Sequence, residues 1–268
     1  MNGFDQASVE RGIAGTRFAG KVRHFPSVGS TNSMAMEAAQ DGVRGGVWVA
    51  DEQTAGRGRG GHAWHSAMGE GLYVSALVTL RVAAARAMWV SLATGLAARA
   101  AIAEATDLTA DIRWPNDLLL HGRKCGGILV ESSISAGAGD EAGLRYAVIG
   151  VGINMEHERF PEELAAVATS LRIEAGREIV RETLLIALLR GLDRELALLD
   201  ASIATGSYDL LDRFRIASTW VQGKRVRVGE GDGYTGVTAG LDANGFLRAD
   251  AEDGTRRTVL SGGVRELK

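Results

Sequence analysis

Between residues 53 and 64 the chain reads Gln53-Thr54-Ala55-Gly56-Arg57-Gly58-Arg59-Gly60-Gly61-His62-Ala63-Trp64, two arginines set among four glycines. Glycine lacks a Cβ, reaches positive φ at little cost and lets backbone N–H groups crowd a ligand. Arg57 and Arg59 add permanently charged planar forks that match phosphate or carboxylate oxygens. The segment is suited to closing on an anion. Ordering six such residues costs about 6–12 kcal/mol of backbone entropy, against about 1.5–3 kcal/mol returned by each charge-assisted hydrogen bond. The loop is therefore expected to be loose when empty and ordered when filled. Gly56-x-Gly58-x-x-Gly61 has the form of a dinucleotide fingerprint, but that motif opens a helix, and the residues from His62 to Ser66 have no helical pattern. A solvated surface loop is the commoner fate of Gly-Arg runs. Against it stand apolar runs at 47–50 and 72–78, which read as buried strands on either side.

Further polar groups gather at predicted strand ends: Ser30-Thr31-Asn32, Trp114-Pro115-Asn116-Asp117, Arg123-Lys124 and Gly150-Val151-Gly152-Ile153-Asn154. Taken singly, each has an ordinary reading: a helix cap, a turn, a solvated lysine, tight strand packing. Cys125 adjoins Lys124, which could lower its pKa, but a buried structural thiol is the commoner case. His62 and His65 share a loop with no third ligand evident in the sequence, which argues against a metal there.

The elements that must position these groups follow from periodicity. Residues 22–25 read as a short strand, with N-cap chemistry at Ser30-Thr31-Asn32 for the helix after it. The alanine-rich stretch 84–105 reads as a long helix packed on a sheet. Residues 111–120 suggest strand, turn, strand, then a hairpin into 125–134 and, beyond a Ser/Ala/Gly loop at 135–143, a strand at 146–153. Strands this dense indicate an α+β mixed sheet rather than a doubly wound one. Helices are expected at 179–199 and 208–218. From Gly223 onward short β segments (224–228, 234–241, 246–249 and 258–260) suggest a small all-β barrel. The expected division is an N-terminal extension at 1–20, a catalytic unit at 21–219 and a small β unit at 220–268.

The 268 residues are 46% hydrophobic, enough for a substantial core, and the formal net charge of -3 argues against nucleic-acid binding driven by overall charge. One cysteine excludes an intrachain disulfide framework and fits a reducing compartment. There is no signal-peptide pattern at the start and no uninterrupted apolar run long enough to span a bilayer, so a soluble cytoplasmic protein is expected.

Together, Gly56-Arg57-Gly58-Arg59 with Trp64, Arg113-Trp114-Pro115-Asn116-Asp117, Arg123-Lys124-Cys125-Gly126-Gly127-Ile128-Leu129-Val130-Glu131 and Gly150-Val151-Gly152-Ile153-Asn154 resemble the signature blocks of the biotin protein ligases, in the same order. The resemblance implies a class II synthetase-like catalytic domain with flanking helices, followed by an SH3-like barrel. It implies ATP-dependent activation of biotin to biotinyl-5′-AMP, then transfer of biotin to a lysine of the biotin carboxyl carrier protein of a biotin-dependent carboxylase. Lys124, with Arg57 and Arg59, would be catalytic. Ser30, Thr31, Asn32, Gln53, Gly56 and Gly127 would line the biotin site together with those three cations. Arg59, Trp64, Asn116, Asp117 and Asn154 would serve ATP, with Asp117 offering an oxygen to Mg²⁺.

Three features depart from the family pattern: Arg113 stands where a lysine is usual, His62 where a further arginine is common, and Arg265-Glu266-Leu267-Lys268 does not align with the usual basic tail contact. Lipoate ligases and octanoyltransferases, the nearest rivals, carry an Arg-Arg-x-x-Gly-Gly-Gly type loop that residues 56–64 do not fit. A biotin-sensing repressor would need a winged helix ahead of Val22, where about twenty residues stand, so no DNA partner is expected. A homodimer is compatible with the family, and no membrane partner is expected. A catalytically dead binding module is disfavoured by the joint retention of Lys124, Arg57, Arg59 and Asp117.

Overall fold

A computed structural model describes residues 3–134, 143–205, 209–229, 233–260 and 263–267. Its centre is a seven-stranded mixed sheet built from β1 (Val22–Phe25), β2 (Gly46–Ala50), β3 (Gly71–Val78), β4 (Asp111–Arg113), β5 (Asp117–Leu120), β6 (Arg123–Ile134) and β7 (Leu144–Asn154). The strand order is β1-β2-β3-β7-β6-β5-β4. β1 and β2 pair in parallel, joined by the crossover helix α2 (Thr31–Gln40), and the remaining pairs are antiparallel.

Alternation along β3 and β7 gives the sheet two different faces. Val74, Ile149, Val151 and Ile153 point into the main core, against which α3 (Met88–Thr106) and α6 (Arg181–Thr205) pack. Residues 84–86, predicted as the start of the long helix, form a separate 3₁₀ turn. On the other face, Trp48, Leu77, Tyr146 and Val148 pack under Ala35 and Ala39 of α2. Further along that face the registers Ser75↔Gly150↔Leu129 and Tyr73↔Gly152↔Gly127 replace bulk with glycine. A shallow trough therefore opens beside the N-terminus of α2.

The expected N-terminal extension is part of the fold. α1 (Gln6–Gly12), which the sequence reading missed, is capped by Asp5, which accepts from the Ser8 N–H at 2.8 Å. It packs on α6, and Arg17 pairs with Asp193 and Asp200 of that helix at 3.0 and 3.3 Å. Two short helices between β7 and α6 were also missed, α4 (Glu162–Ala165) and α5 (Leu171–Ala175). At five residues or fewer, neither shows a readable period.

After α7 (Leu210–Ala217) come β8 (Gln222–Val228), β9 (Tyr234–Leu241), β10 (Leu247–Ala251), β11 (Arg256–Val259) and the unpredicted β12 (Val264–Glu266). They form one antiparallel sheet in the order β11-β10-β9-β8-β12, a four-strand meander whose fifth strand returns beside the first, as in SH3-like folds. Val226, Val228, Leu247 and Val259 belong to the main core, and the Trp114 indole donates to the Gly245 carbonyl at 2.9 Å. The Ser/Ala/Gly loop at 135–142 lies outside the described residues. Among the described residues no helix is long and apolar enough to cross a membrane.

Candidate active site

The glycine-floored trough is roofed by the arginine loop. That loop is a hairpin rather than an open hinge: the Gly58 N–H donates to the His62 carbonyl at 2.7 Å and the Trp64 N–H to the Gly56 carbonyl at 2.9 Å. Gly60 and Gly61 turn it at φ of 69° and 79°, values that favour residues without a Cβ. A single 3₁₀ turn spans Arg59–Gly61 and leads into extended chain, so the dinucleotide-fingerprint spacing has no helix to open.

Ser30, Thr31, Asn32, Gln53, Arg57, Arg59, Trp64, Asn116, Lys124 and Gly127 all line this one cleft. Its free space is about 50 Å³, against about 300 Å³ or more for a typical small-molecule site. The loop and Trp64 must move aside to admit a ligand.

One end of the cleft is a closed polar network. Ser30 caps α2 through the Ser33 N–H, and the Gln53 carbonyl oxygen accepts from both the N–H and the hydroxyl of Thr31 at 2.9 and 3.1 Å. The Gln53 amide nitrogen donates to the Ser66 hydroxyl at 2.9 Å. Ser75 donates within reach of Thr31 Oγ1 at 2.8 Å and Asn32 Oδ1 at 2.6 Å. Asn32 in turn donates to Glu131 Oε2 at 2.9 Å, and the other Glu131 oxygen accepts from Arg57 at 2.7 Å. Glu131 thus ties the roof to the start of α2. Ser75 and Glu131 are site residues to which the sequence reading gave no role. A serine inside the apolar run of β3 was the available signal for the first, and the second closes the Arg123–Glu131 block without a role having been given to it.

Gly150 lets Asn32 lie against the sheet: a Cβ there would sit 2.2 Å from Asn32 Oδ1. Gly150→Ala is expected to break the Asn32–Ser75–Glu131 network and raise the KM for a ligand of this cleft by roughly tenfold or more, the cost of one or two displaced buried hydrogen bonds. Initial-rate kinetics against substrate concentration would check it. Gly56 does not line the cleft but packs behind it, where a Cβ would meet the Trp64 carbonyl at 2.5 Å and Gln53 Nε2 at 3.2 Å.

The other end carries Lys124 and Trp64. From Lys124 to Gly127 the spacing is odd, which in a regular strand puts the two on opposite faces. A register shift between Leu118 and Leu119 on the paired strand cancels this, and Lys124 Cε comes 3.4 Å from where a Gly127 Cβ would be. The Lys124 backbone is pinned by Val167 and Thr169. Its ammonium lies 2.5 Å from Asp117 Oδ1 and 5.2 Å from the centre of the Trp64 ring. Trp64 lies over Gly152, where a Cβ would be 2.5 Å from its indole nitrogen.

Asp117 and Asn154 are not in the cleft. Asn154 donates its amide to the Thr169 carbonyl at 3.0 Å and lines a separate hollow of about 700 Å³ on the far side of Trp64. Asp117 sits behind Lys124, with Oδ1 on that ammonium and Oδ2 on Arg113 at 2.5 Å. With a cation on each oxygen it does not fit the expected role of Mg²⁺ ligand: the donor set around it is cationic, and a divalent ion would be repelled.

Burial works to raise the Asp117 pKa, but the charges and hydrogen bonds of Lys124 and Arg113 outweigh it and hold the carboxyl below its ordinary value. A depressed pKa means stability that is present above the unfolded carboxylate pKa of about 3.9 and lost as pH falls through the lower folded value. Asp117→Asn is therefore expected to cost about 2–3 kcal/mol near pH 7. In urea titrations the gap from the parent should close below about pH 4.

Cys125 is fully buried, bonded to the Leu118 carbonyl at 3.4 Å, and burial pushes its thiol up to about 12. It is the structural thiol expected and offers no nucleophile. His62 joins no such group among the described residues, whereas His65 lies beside Glu70 and His157.

A mixed sheet with a glycine-floored face, a lysine at its edge and an SH3-ordered sheet behind it defines the class II synthetase-like ligase fold. Residues 25–154 match the biotin/lipoate A/B protein ligase family and residues 222–264 the biotin protein ligase C-terminal domain. The biotin--[acetyl-CoA-carboxylase] ligase of Mycobacterium tuberculosis is 31% identical over 243 residues, which cover 88% of this chain and 84% of that one. The bifunctional ligase/repressor BirA of Bacillus subtilis is 38% identical over 155 residues, 57% of this chain and 46% of that protein. The match thus spans about half the length of the latter relative. A solved structure of biotin protein ligase from Aquifex aeolicus in complex with biotin and ATP superposes with a TM-score of 0.73 at 26% identity, covering 92% of this chain and all of that one. The chain belongs to the biotin protein ligase family.

Proposed function

We propose that the protein is an ATP-dependent biotin protein ligase. It joins the biotin carboxylate to the α-phosphorus of ATP, expelling pyrophosphate, and then passes the biotinyl group from the adenylate to a lysine of the biotin carboxyl carrier protein, releasing AMP. The observation that carries this reading is the two-ended cleft. A closed polar network of Ser30, Thr31, Asn32, Gln53 and Ser75 faces, across a glycine floor, the Lys124 ammonium under a roof bearing Arg57 and Arg59.

Those residues divide the work. The hydroxyl and amide groups at the α2 end are donors and acceptors of the kind a ureido ring needs. Lys124 holds a fixed positive charge where the carboxylate and α-phosphate meet, stabilising charge that builds in the transition state without reorganising at that moment. Arg57 and Arg59 neutralise phosphate charge and keep water from the mixed anhydride. Trp64 stands where an adenine face could stack once it swings off Gly152. No enzyme nucleophile takes part. The division at 21–219 and 220–268 and a cytoplasmic location fit this reading.

ATP–pyrophosphate exchange with biotin, lipoate and octanoate side by side tests the proposal. Exchange is expected with biotin. Exchange that lipoate or octanoate supports and biotin does not would assign the cleft to the sister activity.

A further inference from the structure

Three residues that the proposed reaction does not use converge on the far side of Trp64. His65 follows Trp64 at the end of the arginine hairpin, Glu70 precedes β3, and His157 follows β7. One ligand-capable atom from each lies within 4.8 Å of the other two. His157 is 0% exposed, and among the described residues neither of its ring nitrogens has a hydrogen-bond partner. A buried imidazole normally has at least one.

The group is held in place from behind. Phe160 stacks on the His157 ring at 4.7 Å and 9°, and Ser170 donates to the His157 carbonyl at 2.6 Å. The Glu70 carbonyl accepts the N–H groups of Met155 and Glu156 at 3.0 and 2.8 Å, so β3 and the segment after β7 are locked together at this point. Glu70 Oε2 lies 3.4 Å from His157 Nε2, in reach but not aligned as a hydrogen bond.

We propose that His65, Glu70 and His157 form a binding site for Zn²⁺, with two imidazoles and one carboxylate as ligands and a fourth position open to water. Two histidines and a carboxylate are a donor set this ion favours, and bonds of about 2.0–2.1 Å place tetrahedral ligand atoms about 3.3 Å apart. His65, which is exposed and whose ring centre is 5.8 Å from that of His157, makes the closing movement of about 1.5 Å. Because His65 is bonded to Trp64, the ion fastens the end of the arginine hairpin to the end of β7. It sits beside the cleft without entering it.

The test uses the whole purified chain, stripped with a chelator. Co²⁺ serves as a spectroscopic probe and Zn²⁺ as competitor. One Co²⁺ per chain with the visible bands of a four-coordinate ion, displaced by Zn²⁺, is expected. His65→Ala and Glu70→Gln change exposed or half-exposed side chains and should each weaken binding roughly tenfold or more, with the circular dichroism spectrum unchanged. His121→Asn, whose parent residue pairs with Glu174 and not with His65, Glu70 or His157, should leave binding intact. Sub-stoichiometric Co²⁺, or affinity in His65→Ala and Glu70→Gln equal to that of the parent, would overturn the assignment.

Discussion

Lys124→Ala is expected to lower biotin-dependent ATP–pyrophosphate exchange by about 10²–10³-fold, the usual cost of removing one preorganised electrostatic group from a site of developing charge. The ammonium needs no rearrangement to act. Its backbone is pinned by Val167 and Thr169, its side chain runs over the place a Gly127 Cβ would fill, and Asp117 fixes its head. Removing it leaves Arg113 on Asp117, so the carboxylate keeps one counter-charge and the fold should survive. The deficit should appear mainly in kcat, because the polar network at the α2 end lies away from the change. Lys124→Arg should recover little, since a planar fork cannot place its charge where a compact ammonium sits. Exchange that is unchanged in Lys124→Ala would remove this residue from the chemistry.

Arg59→Gly should have the second largest effect, and a different kind of readout. Each charge-assisted hydrogen bond to a phosphate contributes about 1.5–3 kcal/mol, so losing this side chain should speed escape of the adenylate about tenfold to a hundredfold. Arg57 covers only part of the gap, because its guanidinium is also held by Glu131 at 2.7 Å. Released mixed anhydride acylates whatever amine it meets. A streptavidin blot of a mixture containing a bystander protein should therefore show biotin on lysines of that protein, where the parent protein is expected to leave it unmarked. A clean blot at matched turnover would show that Arg59 does not retain the intermediate.

Much of the fold was legible because its signals are local. The apolar runs at 47–50 and 72–78 had nowhere to go but a buried sheet, the Ser30-Thr31-Asn32 cap sits at the start of α2, and the Asp111–Leu120 stretch makes strand, turn and strand as its Pro and Asn require. Three of the shortest elements went unseen, α4, α5 and β12, since a single turn or three extended residues without flanking turn signals carry no period to read. α1 was missed for another reason: beyond its Asp5 cap, this seven-residue helix is stabilised by burial of Val9 and by its contacts to α6 about 180 residues away.

The sequence by itself determined the inventory of the site: which cations, which amides and which glycines, and through four ordered blocks the family to which they belong. Proximity was decided only by the tertiary structure. Pairing of β3, β6 and β7 sets Ser75 beside Gly150 and Gly127 beside Gly152, and a one-residue register shift turns Lys124 onto their face. The same packing moves Asp117 behind Lys124, sends Asn154 to the far side of Trp64, and brings His157 to His65 across some ninety residues of chain. Side-chain type is fixed one residue at a time. Which face a side chain meets depends on strand register, and register is settled by the whole sheet burying its apolar side at once.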